Sequence, residues 1–171
     1  VSTMLAIQIE TGRMPSPDTV SKFVARVAQK QVTDLKAVEG ADALIAAASK
    51  KYKVCVASNG ERSNVVESLN LTGLKKYFAD AHVFTKIQVK NPKPAPDLFL
   101  FAATQMGADP ERCVVIEDSP AGVRAGVAAG MTTYGFTGAS HDPQKQENVL
   151  KSAGAHAVFP SLIHIQQHLG L

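Results

Sequence analysis

"CVVIEDSPAGVRAGVAAGM", residues 113–131, is the stretch of sequence that decides how this chain is expected to fold. Four apolar residues lead directly into two adjacent carboxylates, Glu117 and Asp118, and a segment rich in glycine and alanine follows. The apolar run is typical of a buried strand, and Ser119 followed by Pro120 is a typical helix start. The order indicates a βα unit that carries a charged site where its strand ends.

The composition is that of an ordinary globular domain. The chain has 171 residues, of which 45% are hydrophobic and 19% charged, and this is enough for one domain with a substantial core. Its net charge of +3 comes from scattered lysines without a dense arginine stripe, so we expect no nucleic-acid partner. No apolar run reaches the roughly eighteen residues of a membrane helix, and the first residues do not resemble a signal peptide. We therefore expect a cytoplasmic protein without a membrane partner.

The cysteines and histidines do not indicate a metal cluster. Cys55 and Cys113 each lie inside an apolar, strand-like run, which predicts buried thiols in a reducing compartment rather than a disulfide. His164 and His168 are four residues apart on a predicted terminal helix, a spacing that can bind a metal ion. A solvated helix end is the simpler interpretation of that pair.

From residue 40 onward, short β-rich runs alternate with helical segments. This alternation predicts an α/β fold, a Rossmann-like and mostly parallel sheet with helices on both faces. The predicted strands are 53–57, 81–85, 112–117, 132–136 and 156–159, and the predicted helices are 61–71, 95–106, 120–129, 143–152 and 161–169.

The first residues of the chain have a different pattern. Their apolar residues recur at helical spacing, no strand precedes them, and Pro15 and Pro17 separate two helical runs. We therefore predict a partial helical cap over residues 1–36 and an α/β core over residues 37–171.

Polar residues follow three of the predicted strands, at the sheet edge where open parallel sheets bind ligands. A serine hydroxyl followed by free backbone amides at a helix start favours a phosphate oxygen. A lysine in a loop stiffened by prolines adds a compact positive charge. The predicted phosphate-binding residues are Ser58, Asn59 and Gly60 after the first strand and Lys93 after the second.

Two adjacent carboxylates, Glu117 and Asp118, are the third set of polar residues at this sheet edge. Glu117 and Asp118 repel each other unless a cation neutralises them, and carboxylate oxygens completed by water and phosphate are typical Mg²⁺ ligands. Each signal alone has a simpler explanation: a helix cap, a solvated lysine, or an Asp-Ser-Pro turn. Their order at three successive strand ends favours a site for a phosphate and Mg²⁺.

These residues resemble three motifs of the haloacid dehalogenase-like hydrolases, in the branch that includes β-phosphoglucomutase and small phosphosugar phosphatases. "VASNG" (56–60) resembles the second motif of that family, "KPAPD" (93–97) the third, and "VVIEDSPAGVRAGVAAGM" (114–131) the fourth. The segment 38–54 resembles the connection from the cap to the core. The resemblance covers roughly residues 37–160 and implies the core fold of that family with a helical cap.

The resemblance also implies roles for the site residues. Ser58 would bind the transferring phosphate, and Lys93 would stabilise it together with the nucleophile. Asp118 would be a Mg²⁺ ligand, with Glu117 supporting or sharing that role. The implied activity is a Mg²⁺-dependent phosphatase that acts on a small phosphorylated metabolite, such as a sugar phosphate, through an aspartyl-phosphate intermediate.

One family feature is missing. The first motif of the family is an apolar strand ending in Asp-x-Asp, which supplies the nucleophile, and no Asp-x-Asp occurs in these 171 residues. In the family that strand lies in the middle of the sheet, between the counterparts of 53–57 and 112–117. We therefore expect that an N-terminal part of the parent is absent. These residues alone are then expected to be inactive, and unstable as a monomer unless another chain or segment supplies the central strand.

Two alternatives remain open at the level of sequence. A phosphosugar mutase of the same family needs the same site together with an acid/base on the cap. A non-catalytic fragment that keeps only phosphate or metal affinity has the same three motifs. A dehalogenase has no use for a metal-binding carboxylate pair, and phosphoacceptor signalling domains carry their acidic pair before the lysine, not after it.

Overall fold

The computed structural model describes residues 16–23 and 35–171. Residues Ala37–Leu171 form one compact unit and residues Val1–Lys36 form another. Within the smaller unit, residues 17–23 are helical. The predicted helical cap over that part of the chain lies mostly outside the described residues and stays a prediction.

Strands and helices alternate through the larger unit, which confirms the α/β fold. Within the described residues, no helix is long and apolar enough to cross a membrane. The strands are β1 (Val56–Ser58), β2 (Val83–Thr85), β3 (Val114–Glu117), β4 (Thr132–Phe136) and β5 (Ala157–Phe159). The helices are α1 (Ala41–Lys51), α2 (Arg62–Leu71), α3 (Asp97–Met106), α4 (Pro120–Ala128), α5 (Pro143–Ser152) and α6 (Leu162–His168).

The strands form two parallel sheets rather than one continuous sheet. Strand β1 pairs with β2 in register Val56 to Val83, and the second sheet has the order β3-β4-β5. Among the described residues no ladder joins β1 to β3. The division falls between the two strands that the family resemblance separates by a central strand, and the expected instability of these residues alone stays a prediction.

Helices cover both faces of the three-stranded sheet, as predicted. Side chains alternate between the faces along a strand. In β4, Thr133 and Gly135 lie against α4 and α5, whereas Tyr134 contacts α6 and Phe136 packs with α1 and α6. The carboxyl ends of β1 and β3 line an open cleft.

Helix α3 connects the cores beneath the two sheets. Its Leu98 is fully buried and packs with Phe84 of β2, while its Phe99 packs with Val115 of β3. Burying one large apolar side chain stabilises a fold by about 1.5–3 kcal/mol. Helix α3 therefore holds the two sheets together where no strand ladder does.

The two cysteines differ from the prediction. Cys55 is exposed and Cys113 is partly buried, and both are free thiols. Each precedes its strand instead of lying inside it, because β1 and β3 begin later than the sequence pattern predicts. Atoms packed around the sulfur partly exclude water from it, and this desolvation raises the pKa of Cys55 to about 11, with nearby Cys113 contributing less.

Candidate active site

A cleft of about 310 Å³ opens at the carboxyl ends of β1 and β3. The structure brings five of the six predicted site residues to its wall, and the sixth, Gly60, directly follows Asn59. The cleft is lined by Ala57, Ser58, Asn59, Lys93, Ile116, Glu117, Asp118, Ser119 and Ala121.

Ser58 ends β1 and lies beside the start of α2. The backbone N–H of Gly60 donates a hydrogen bond to Ser58 Oγ at 3.0 Å. The residue before α2, Glu61, provides no side-chain cap, so the first N–H groups of α2 lack a capping acceptor. The hydroxyl proton of Ser58 and the positive end of the helix dipole are therefore available to an anion.

Asn59 holds the main chain of Lys93 across the cleft. Its Nδ2 donates to the Lys93 carbonyl at 3.0 Å, and its Oδ1 accepts from the Lys93 N–H at 3.1 Å. The peptide bond between Lys93 and Pro94 is cis. This pairing uses Oδ1 and one N–H of Nδ2, so the side chain of Asn59 supports the lysine loop, and its second amide N–H and its backbone remain for the predicted phosphate contact.

The ammonium of Lys93 lies between the two sheets. Its Nζ donates to the carbonyl of Ala57 in β1 at 2.8 Å and to Glu117 Oε1 in β3 at 2.5 Å. It also lies 4.4 Å from the centre of the Phe99 ring, within cation–π range. Because an ammonium has three N–H groups, one remains for a ligand in the cleft.

Both carboxylate oxygens of Glu117 are engaged. Oε1 accepts from Lys93, and Oε2 accepts from the hydroxyl and the backbone N–H of Ser119 at 3.0 and 3.3 Å. The side chains of Lys93 and Glu117 are only 7% and 10% exposed. A buried charge needs this kind of pairing, because removing one partner leaves the other uncompensated.

Asp118 is exposed, in contrast to its neighbour. Its backbone carbonyl accepts a hydrogen bond from Gln146 Nε2 at 2.5 Å. Within the described part of the chain its carboxylate has no hydrogen bond or ion pair. No cluster of three His, Cys, Asp or Glu side chains that could hold a metal occurs among those residues. Since Mg²⁺ often takes one or two protein carboxylates and completes its shell with water and phosphate, the donor set fits Mg²⁺ at Asp118.

Helix α4 begins as its sequence predicts and fixes the end of β3. The Oγ of Ser119 accepts a hydrogen bond from the backbone N–H of Gly122 at 3.0 Å, and Pro120 occupies the first helical position. Gly126 lies so close to Thr133 of β4 that a Cβ would come within 2.4 Å of the hydroxyl. Gly126 therefore lets α4 lie close against the sheet.

Among the contacts of this site that sequence reasoning missed are three that hold Lys93 and Glu117. The carbonyl of Ala57 and the ring of Phe99 hold Lys93, and the hydroxyl of Ser119 holds Glu117. The Asp-Ser-Pro signal predicts that Ser119 caps the helix, but it does not predict that the Ser119 hydroxyl also donates a hydrogen bond to Glu117. Ala57 lies 36 residues from Lys93 in the sequence, and Phe99 follows Lys93 by six residues on the next helix; no sequence signal reports either contact.

The terminal histidines make separate local contacts. His164 Nδ1 lies 2.6 Å from Ser161 Oγ, and His168 Nε2 lies 3.2 Å from the hydroxyl of Tyr134. His164 therefore has a partner at the start of α6, and His168 has a different one near the end of the helix.

The chain matches the haloacid dehalogenase-like hydrolase family over residues 8–130, well over half of its length. It therefore belongs to the haloacid dehalogenase-like hydrolases. Over 120 residues it is 34% identical to the 6-phosphogluconate phosphatase of Escherichia coli (strain K12), covering 70% of this chain and 53% of that protein. The chain thus spans about half the length of this curated relative.

Solved structures show the same fold. The chain is similar to a HAD family hydrolase from Deinococcus radiodurans R1 with bound phosphate and sodium, with a TM-score of 0.84, 31% identity, and coverage of 98% of this chain and 73% of that one. It is also similar to a β-phosphoglucomutase-like protein from Thermotoga maritima, with a TM-score of 0.80, 28% identity, and coverage of 99% and 78%. The expected family branch is confirmed by these relatives.

Proposed function

We propose that the protein is a Mg²⁺-dependent phosphatase that hydrolyses a small phosphorylated metabolite such as a sugar phosphate. The observation that carries this proposal is the fixed ammonium of Lys93, which shares one cleft with Ser58 and Asp118. The similarity to a 6-phosphogluconate phosphatase and to a hydrolase solved with phosphate supports a phosphorylated substrate.

The described residues would act by positioning and by charge. Ser58 and the amides at the start of α2 would orient the phosphoryl group, and the remaining N–H of Lys93 would offset the charge that develops on its oxygens. Phosphoryl transfer depends mainly on these two effects, because its transition state needs little other help from the protein. Both groups are held before substrate binds, so little reorganisation is required.

Asp118 is the residue that would hold Mg²⁺ in this proposal. When bound, Mg²⁺ would neutralise phosphate oxygens and help to orient them. The proposed pathway passes through an aspartyl-phosphate, which divides a difficult hydrolysis into two easier steps. Since no Asp-x-Asp occurs in the sequence, the nucleophile is not assigned to any residue of this chain, and the proposal concerns the whole protein.

The test is phosphate release by the full-length protein over a panel of sugar phosphates, with MgCl₂ or with EDTA. We expect turnover only with Mg²⁺. Removing a residue that merely supports a metal ligand costs about 10–100-fold, so losing the ligand itself in Asp118→Asn should cost at least as much in kcat/KM. Glu147→Gln, in an exposed pair with Lys151 on α5, is the matched control and should be neutral.

Two other outcomes would replace this proposal. A mutase of the same family is favoured by the similarity to the β-phosphoglucomutase-like structure, and it would convert a sugar phosphate into its isomer with little free phosphate. A non-catalytic phosphate-binding protein would bind phosphate but would neither hydrolyse a sugar phosphate nor convert it into its isomer. Turnover that is independent of Mg²⁺ and insensitive to Asp118→Asn would contradict the assignment of the site.

A further inference from the structure

We infer that Glu117 is a positioning residue that holds Lys93, and that Gly122 makes this possible by leaving open the space that the Glu117 carboxylate occupies. The consequence for catalysis rests on the proposed function. The packing itself does not, because it involves only the described residues of the end of β3 and the start of α4.

The backbone conformation at Gly122 does not require a glycine. It lies inside α4 with an ordinary helical conformation, where alanine is the better helix former. A Cβ built at this position would lie 2.0 Å from Glu117 Cδ and 2.2 Å from each carboxylate oxygen. Real Cβ atoms do not approach other atoms so closely, so an alanine here would displace the carboxylate of Glu117.

The carboxylate is fixed in that space from two sides. Oε1 binds the ammonium of Lys93, and Oε2 binds the hydroxyl and N–H of Ser119. The same Ser119 hydroxyl accepts the N–H of Gly122, so the helix start and the carboxylate share one hydrogen-bonded unit. A long lysine side chain loses considerable rotamer freedom when it is held, and this unit holds it before any ligand binds.

The two adjacent carboxylates therefore have different tasks. Glu117 is 10% exposed with both oxygens occupied, whereas Asp118 is exposed and its carboxylate has no partner among the described residues. This arrangement leaves metal binding at this strand end to Asp118. It differs from the expectation that the pair shares one ion, and it explains why a chain keeps both acids side by side.

The first experiment measures thermal unfolding of the full-length protein with and without Gly122→Ala. In the wild-type background we expect a lower unfolding midpoint, because the methyl group displaces a buried, paired carboxylate. In a Glu117→Ala/Lys93→Met background both charges of the pair are gone, and the same substitution should raise the midpoint by improving the helix. This reversal of sign is the predicted result, and equal effects in the two backgrounds would overturn the inference.

The second experiment measures binding of inorganic phosphate and the Mg²⁺ half-saturation of turnover. Gly122→Ala should weaken phosphate binding about tenfold through the loosened Lys93 and leave the Mg²⁺ half-saturation unchanged, whereas Asp118→Asn should raise the latter. If Gly122→Ala raises the Mg²⁺ half-saturation as much as Asp118→Asn does, Glu117 is a metal ligand and the inference fails. A full-length protein without turnover that still shows the reversal of sign would disprove the proposed function and leave the positioning role standing.

Discussion

At the scale of single residues, Lys93 is the most constrained side chain of the candidate site. A buried ammonium is unfavourable unless its hydrogen bonds and its charge are both satisfied. Here a carbonyl, a carboxylate and an aromatic ring surround it, while Asn59 holds its backbone. The site therefore presents a charge whose position is set in advance, and such preorganisation is the main source of electrostatic catalysis.

Asn59→Ala tests the backbone clamp. The substitution removes two hydrogen bonds, each worth about 0.5–1.5 kcal/mol, from the loop that carries Lys93. We expect kcat/KM of the full-length protein to fall about tenfold, and the Mg²⁺ half-saturation to stay the same. Steady-state kinetics over a Mg²⁺ series measure both quantities.

The control for that substitution is Asn148→Ala, on the exposed side of α5. It should leave both parameters unchanged. If Asn59→Ala is equally silent, the clamp does not matter for the position of Lys93. If Asn59→Ala raises the Mg²⁺ half-saturation, the substitution disturbs the metal site, and Asn59 does not act on Lys93 alone.

At the scale of elements, α3 carries the connection between the two sheets. Leu98 is fully buried beneath β2, and Phe99 packs under β3 and beneath the ammonium of Lys93. The helix therefore supports the site as well as the core. Its end at Gly107, which has φ of 58°, requires a left-handed conformation that glycine adopts readily.

Leu98→Ala should lower the free energy of unfolding by about 2–5 kcal/mol, because it leaves a cavity under β2 that its neighbours cannot fill completely. Leu100→Ala on the same helix is the control. Leu100 is 38% exposed, so a loss of well under half that size is expected. Urea denaturation of the two variants measures the difference. Equal losses would mean that α3 does not join the two cores as described.

The bounds of the helices and strands also show how much of the fold can be predicted from the sequence alone. The helix 143–152 and the strand 132–136 were predicted with the bounds that the structure has, because caps and turn residues mark their ends. The strand predicted at 53–57 begins instead at Val56, since a strand extends only as far as its partner, and β2 offers three residues. Local signals therefore fix the ends of α5 and β4, whereas the ends of β1 depend on its pairing with β2.

The candidate site was also predicted only in part from the sequence. The sequence predicted that Ser58, Lys93 and Asp118 share one sheet edge, because parallel strands bring their carboxyl ends together. It did not predict that Lys93 would pair with Glu117, which is 24 residues away, or that Gly122 would leave room for that carboxylate. Those relations depend on side-chain conformations, which no periodicity or spacing encodes.

At the scale of the whole molecule, the gap between the two sheets is the main feature. Val114 and Ile116 of β3 are 46% and 38% exposed, and no described strand pairs with the free edges of β1 and β3. Unpaired edges and uncovered apolar side chains favour association with another strand. The predicted need for a further strand, supplied by another segment or chain, is compatible with this geometry and stays a prediction.

In the proposed function, one sheet edge binds phosphate and Mg²⁺ together. The most direct measurement is calorimetric titration of inorganic phosphate into the full-length protein, with and without Mg²⁺, for the wild type and for Asp118→Asn. We predict that Mg²⁺ tightens phosphate binding at least about tenfold, equal to about 1.4 kcal/mol, and that Asp118→Asn abolishes this gain. Phosphate binding that is indifferent to Mg²⁺, or a gain that survives the substitution, would contradict the account.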